Sequence, residues 1–235
     1  MAGSYGFSLT TFSPTGNLVQ IEYALNAVAQ GATTIGIKGK NGVVLATEKK
    51  LPLLTDETSV KKIELLTDNI GISYSGMGPD FRLLVRKGRK KAQEYQKFYK
   101  EPIPLSMMVR ELATIMQEFT QSGGVRPFGV SLMVAGYDDK GPQLYQVDPS
   151  GSYFAWKASA IGRGMVAAKS FLELRAQDEL PNLTTDDAIH RAIRILKEGF
   201  QGEIDENNIE VGVVGEDRKF ITLSAAKIRD FLGEV

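Results

Sequence analysis

Apolar residues along this chain change their spacing from segment to segment, and the changes mark out its elements. Leu18, Ile21, Leu25 and Val28 fall at i, i+3, i+7 and i+10, one stripe of an α-helix, and Gly31 stands where a helix commonly stops. Ahead of that stripe, Pro14 fixes its own φ and Gly16 admits a tight turn, so Ser13-Pro14-Thr15-Gly16 separates a polar arm from the helix. Strand-like runs follow at Thr33–Lys38 and Val43–Glu48, joined through Lys40-Asn41-Gly42 as a hairpin, then at Ile63–Leu66 and Ile70–Ser75. Gly76–Pro79 opens a long helix to about Tyr99, with Phe81, Leu84, Val85, Ala92, Tyr95 and Tyr99 on one side. Beyond Pro102 and Pro104, a second helix carries Leu105, Met108, Leu112, Ile115, Met116 and Phe119. Strands resume at Phe128–Tyr137, Gln143–Val147 and Tyr153–Ser159, and helices at about Arg163–Ala176 and Thr185–Gly202. Strands near Ile209–Val214 and Lys219–Thr222 precede a last helix, Ser224–Leu232.

Strand pairs therefore alternate with helix pairs. That order argues for an α+β fold of antiparallel sheets with segregated helices, not for a βαβ parallel sheet. Val43, Val44, Leu45 and Ala46 make a strand apolar on both faces, which must lie between two layers. Helices on one side and a second sheet on the other satisfy this. No linker rich in Pro, Gly or Ser and no internal repeat divides the chain, so a single domain over residues 1–235 is expected. The helical stripe from Leu18 to Val28 needs a cover. Full burial of four such side chains is worth roughly 6–12 kcal/mol gross, and either the body of the domain or a neighbouring chain could supply it.

The charge balance is 28 basic against 28 acidic residues, which argues against a global basic field for nucleic acid. No apolar run is long enough for a transmembrane helix, and no membrane partner is expected. The absence of cysteine removes disulfides, thiolate zinc sites and a cysteine nucleophile. His190 is the single histidine, so a multi-histidine metal site is excluded; it reads as a partly exposed helical residue. Asp138-Asp139 and Asp186-Asp187 read as turn and N-cap residues, and Gly76-Met77-Gly78 and Gly162-Arg163-Gly164 as tight turns, because neither has phosphate-loop spacing. Between Arg82 and Lys100 eight basic residues face one acid, Glu94; that is either a solvated helix face or a contact with an acidic protein neighbour.

The start of the chain, Phe7-Ser8-Leu9-Thr10-Thr11 followed by Phe12-Ser13-Pro14-Thr15-Gly16 and Gln20-Ile21-Glu22-Tyr23-Ala24, resembles the N-terminal signature of proteasome α subunits, the type-2 branch in particular. The likeness continues through Gly42–Glu48, Tyr74–Asp80, Thr120–Gly129, Asp148–Gly151 and Ala160–Gly162, so it spans essentially the whole chain. It implies the N-terminal-nucleophile hydrolase fold, a four-layer αββα sandwich. It also implies a plan of arm and reverse turn over 1–17, a ring-contact helix over 18–30 and the sandwich over 32–235. In catalytic relatives a threonine at a processed N-terminus attacks, with its own amine as base and an acid and a lysine nearby. The resemblance places Ala32 at that nucleophile position, Glu48 near the acid and Lys62 near the lysine, so no catalysis is expected. Cleavage one residue later would expose Thr33, which strand alternation points to the other face.

What the resemblance implies instead is work at the top of a ring. Tyr5, Pro14 and Tyr23 match the residues of the gate; Gly6 and Phe7, also at gate positions, depart from the Asp-Arg of many relatives, and Asn17 stands where Lys or Arg is common. Leu18, Ile21, Leu25 and Val28 are the ring-contact residues. Lys62, with Glu22, matches a pocket that receives the C-terminal carboxylate of an activator's tail, although Lys62 by itself also reads as a surface lysine beside Lys61. The implied partners are neighbouring α subunits, β subunits of the adjacent ring, C-terminal tails of regulatory-particle ATPases or other activators, and unfolded polypeptides in transit. No cofactor or metal is implied, and the implied location is cytoplasm and nucleus.

Overall fold

The computed structural model describes residues 11–49, 51–52, 54–174, 182–200, 202 and 204–234. Helix α1 (Val19–Ala29) precedes the hairpin of β1 (Thr34–Lys38) and β2 (Gly42–Glu48). A second hairpin, β3 (Ile63–Thr67) and β4 (Ile70–Gly76), leads into the helix pair α2 (Gly78–Tyr99) and α3 (Leu105–Gln121). Strands β5 (Val130–Asp138), β6 (Gly141–Val147), β7 (Tyr153–Ala155) and β8 (Ala158–Ile161) follow. Helices α4 (Met165–Glu173) and α5 (Thr185–Gly199), strands β9 (Ile209–Gly215) and β10 (Phe220–Thr222) and helix α6 (Ala225–Gly233) complete the described chain.

The described strands form two five-stranded antiparallel sheets, ordered β10-β9-β2-β1-β8 and β3-β4-β5-β6-β7. All seven residues of β2 are buried, and the period-2 alternation of a strand explains how. Val44 and Ala46 face α4, α5 and α6, where they join Ile35, Ile37, Ile189 and Ile193. Val43 and Leu45 face the second sheet and meet Met133, Ala135 and Leu144. On the far side of that second sheet, Ile70, Ile72, Leu132 and Val134 pack against Phe81, Leu84, Leu112 and Met116 of α2 and α3. The layers run helix, sheet, sheet, helix, which bears out the αββα expectation.

The paired acids do what turn chemistry asks of them. The Asp138 carboxylate accepts the Leu105 amide at the start of α3 and the Lys140 amide in its own hairpin. Thr184 caps α5 by accepting the Asp187 amide on its hydroxyl, and that hydroxyl donates to the Asp187 carboxylate. Asp80, in the first turn of α2, takes both guanidinium arms of Arg126 at 2.7 and 2.8 Å and the Gly129 amide at 2.9 Å. Burial pushes its pKa up, but the Arg126 and Gly129 hydrogen bonds outweigh that and hold it below the usual carboxylate value.

Two expectations change. Tyr153–Ser159 is not one strand. β7 pairs with β6 in the second sheet, while β8 pairs with β1 in the first. The chain crosses between sheets at Trp156-Lys157, where the Trp156 amide donates to the Leu144 carbonyl and the Lys157 carbonyl accepts from the Lys38 amide. A run that serves both sheets cannot stay on one ladder. Tyr99 also leaves the predicted core side of α2: it is 65% exposed and its ring meets that of Tyr95 at a tilt of 34°.

Phe220, on the short β10, locks the layers together. A Cβ on Gly71 would lie 2.2 Å from its ring, and one on Gly212 2.5 Å, so two glycines from different sheets form its slot. Phe220→Ala should lower unfolding free energy by about 3–5 kcal/mol. Urea denaturation of the full-length chain checks this, with a loss below about 1 kcal/mol excluding the wedge role.

Candidate functional site

The reverse turn forms as its residues demand. The Gly16 amide donates to the Ser13 carbonyl at 2.8 Å, Gly16 takes φ +82°, and Ser13 receives the Asn17 amide on its hydroxyl. Asn17 does not leave its position idle: its side-chain amide donates to Glu22 at 2.6 Å. Glu22 is thus exposed and held by Asn17 rather than by Lys62. Pro14 is exposed on the turn, Tyr23 is 55% exposed on α1, and Phe12 is 64% exposed just before the turn. Tyr5, Gly6 and Phe7 lie outside the described residues.

The stripe of α1 is divided. Val28 is buried together with Ala24, one turn before it. Leu18 and Ile21 are half-covered, and Leu25 is 40% exposed. Residues at i and i+4 lie one above the other on a helix, so a helix seated on Ala24 and Val28 turns Leu25 and Tyr23 away from its own body.

The end of α1 is fixed by two loops of the body. Ser75, at the end of β4, donates its hydroxyl to the Val28 carbonyl at 3.1 Å. The Arg163 amide, in the β8–α4 turn, donates to the Gly31 carbonyl at 3.0 Å. Gly31 is required there: an added Cβ would sit 2.3 Å from the Gly76 nitrogen. Gly162 has φ +95° and the same constraint against the Ala32 carbonyl. Ala32, one residue before Thr33, is half-buried and offers no nucleophilic atom.

Beside this seam lies a buried polar group. Thr34 and Thr47 face each other across β1 and β2 with hydroxyls 2.8 Å apart, and Thr34 donates to the Tyr74 carbonyl. Lys62 is 6% exposed, so it is not a surface lysine. Its Nζ donates to the same Tyr74 carbonyl at 3.1 Å and lies 3.6 Å from the centre of the Tyr74 ring. Burial pulls its pKa down to about 8, against the attraction of Glu210 and Glu48. Glu210 accepts the Lys62 and Ile63 amides, and burial pushes its own pKa up. Glu48 is 1% exposed and is engaged by Arg163 at 2.7 Å. The Thr33 hydroxyl accepts the Gly164 amide at 3.3 Å.

Glu48 and Lys62 are therefore brought into one buried neighbourhood, as the resemblance implies, and Glu22 is not linked to Lys62. Arg163, Tyr74 and Glu210 were missed as members. Arg163 stood in the sequence between Gly162 and Gly164, a flag for close backbone approach, but nothing local names Glu48 as its partner. His190 behaves as read, one side on Glu234 at 3.1 Å and its ring edge-on to Phe231.

A depressed lysine pKa has a defined pH signature. The unfolded chain holds the Lys62 proton up to about 10.5, the folded chain only to about 8. Between those values the unfolded state binds more protons, so the contribution of Lys62 to stability rises with pH; below about 8 its penalty is fully present. The stability difference between the native chain and Lys62→Met should change between pH 8 and 10 and be flat from pH 6 to 7. Urea melts of both chains across that range check it, and a pH-independent difference would contradict it.

Comparison with known proteins agrees with this geometry. A family model described as proteasome subunit matches residues 28–214, and a second, describing the N-terminal signature of A-type proteasome subunits, matches residues 5–27. The chain is 66% identical over 232 residues to a proteasome alpha type-2 subunit of Oryza sativa subsp. indica, covering 98% of this chain and 97% of the relative. It is equally similar to the alpha type-2-A proteasome subunit of Arabidopsis thaliana, and 60% identical to the alpha type-2 subunit of Dictyostelium discoideum, with 99% of each chain covered in the latter case. With turn, α1 and two-sheet body all in place, the chain belongs to the proteasome subunit family, in its α branch and with type-2 character.

Proposed function

We propose that this non-catalytic α-ring subunit of the proteasome core particle contributes to ring assembly, to gating the admission of substrate, and to docking of regulatory particles. The observation that carries the reading is the divided face of α1. One row, Ala24 and Val28, is anchored on the chain's own body, while Leu25 on one flank of it and Tyr23 on the other are left for another chain. Neighbouring α subunits are the occupants in this reading, and β subunits lie against the opposite side of the ring. Ala32 occupies the position where catalytic relatives carry their threonine, which leaves Glu48 and Lys62 without a nucleophile to serve.

In this reading Tyr5, Gly6, Phe7, Pro14 and Tyr23 are the gate residues. Unfolded polypeptides pass the gate without being cut by this chain. Lys62 receives a tail carboxylate in a groove completed by the next subunit, with Glu22 near the groove's edge. A cation on a flexible stem suits a carboxylate, and its depth means that the tail must be desolvated to reach it. The particle works in cytoplasm and nucleus.

Two outcomes are expected. Leu25→Asp should cost the chain only about 1–2 kcal/mol, because Leu25 is 40% exposed, yet sharply reduce its incorporation into rings; native mass spectrometry of particles reads this, and unimpaired incorporation would count against the ring-contact role. Deleting residues 2–10 should raise basal peptide hydrolysis of the assembled particle, short of full opening because other arms remain. An unchanged basal rate would remove the arm from the gate.

A further inference from the structure

One carboxylate oxygen sits where three segments meet. Glu48 Oε2 accepts from Arg163 Nη2 at 2.7 Å and from the Thr33 amide at 3.5 Å. The Arg163 amide holds the Gly31 carbonyl, and the Gly164 amide holds the Thr33 hydroxyl. Thr33 is tied in turn to β2 through its carbonyl, which accepts from the Glu48 amide and the Thr47 hydroxyl. The passage from α1 into β1, residues 31–33, is thus held on both sides by the β8–α4 turn and the end of β2.

We propose that Arg163 is the positioning residue for α1: by neutralising Glu48 it locks the β8–α4 turn onto the helix-to-strand passage and so fixes where α1 leaves the sandwich. A buried carboxylate without a partner is strongly disfavoured, so Glu48 draws the Arg163 side chain inward although a third of that side chain remains exposed. Lys62 also attracts Glu48, but the hydrogen bond of its ammonium goes to the Tyr74 carbonyl, whereas Arg163 bonds the acid directly at 2.7 Å. Arg163 carries its backbone amide to the end of α1 while its side chain reaches the acid. Its flanking glycines are what allow this. A Cβ at Gly162 would lie 2.6 Å from the Ala32 carbonyl, and one at Gly164 2.7 Å from the Thr33 hydroxyl. The acid assigned to hydrolysis in catalytic relatives thereby acquires a different task, holding the helix that those relatives' processed chains lack.

The test is local hydrogen exchange by mass spectrometry on assembled particles carrying full-length variants of this chain. Arg163→Met should speed exchange in peptides covering residues 28–34 and 161–166 by roughly tenfold or more, with peptides of α5 unchanged. Arg163→Lys, which keeps the charge, should recover part of the protection. Arg218→Met, which breaks the exposed pair with Asp139, should leave both peptides as they are. Unchanged protection at residues 28–34 in Arg163→Met would overturn the proposal. So would a uniform rise across the chain, which would make the pair a general stabiliser. Neither readout uses peptide admission, so the result stands apart from the gating assignment. If Arg163→Met does not assemble, the pair replacement Arg163→Met with Glu48→Met removes the stranded charge; α1 peptides must still exchange faster in it, because an apolar pair does not hold the turn by hydrogen bond.

Discussion

A strand buried on both faces sets the terms for everything else in this chain. β2 has no exposed residue, so neither of its faces can be left to water. α4, α5 and α6 cover one and the second sheet covers the other. The central strands of the second sheet, β4 and β5, are buried in nearly the same way, and α2 and α3 cover its far side. Four layers follow from the apolar character of the central strands, and the seam between the sheets becomes the interior that both halves share.

That seam is not apolar throughout. One end is filled by Val43, Leu45, Met133 and Phe220, while the other holds Thr34, Thr47, Ser73, Ser75 and Lys62. Each of these polar side chains finds a partner, which is the condition for burying it: Ser73 donates to the Lys62 carbonyl, Ser75 to Val28, Thr34 to Tyr74. The lysine tolerates its position with a lowered pKa. The amide-rich passage from α1 runs into this end of the seam, and its acid is occupied by an arginine.

Much of this could be read in the residues, for identifiable reasons. Helical and strand periods located nearly every element, and Pro14 with Gly16 located the turn, because local sterics decide those features. The family motifs placed Glu48 and Lys62 together across fourteen positions of chain. The sheet change at Trp156-Lys157 was not legible, since seven residues of strand character look the same whether they join one ladder or two. Neither was the Arg163–Glu48 pair, whose members stand 115 positions apart and meet only once two loops have folded over each other. The α1 stripe was half legible: four apolar positions on one face predict burial but not which row the body takes, and the choice fell on Ala24 and Val28.

The crossing at Trp156-Lys157 has a mechanical consequence. β7 and β8 are the edges of different sheets and are joined by only two residues. Peeling either edge strand away pulls on its twin in the opposite sheet, so the halves of the sandwich cannot slide or open one at a time. So short a tether couples fraying at one sheet's edge to fraying at the other's, and the two edges should open together.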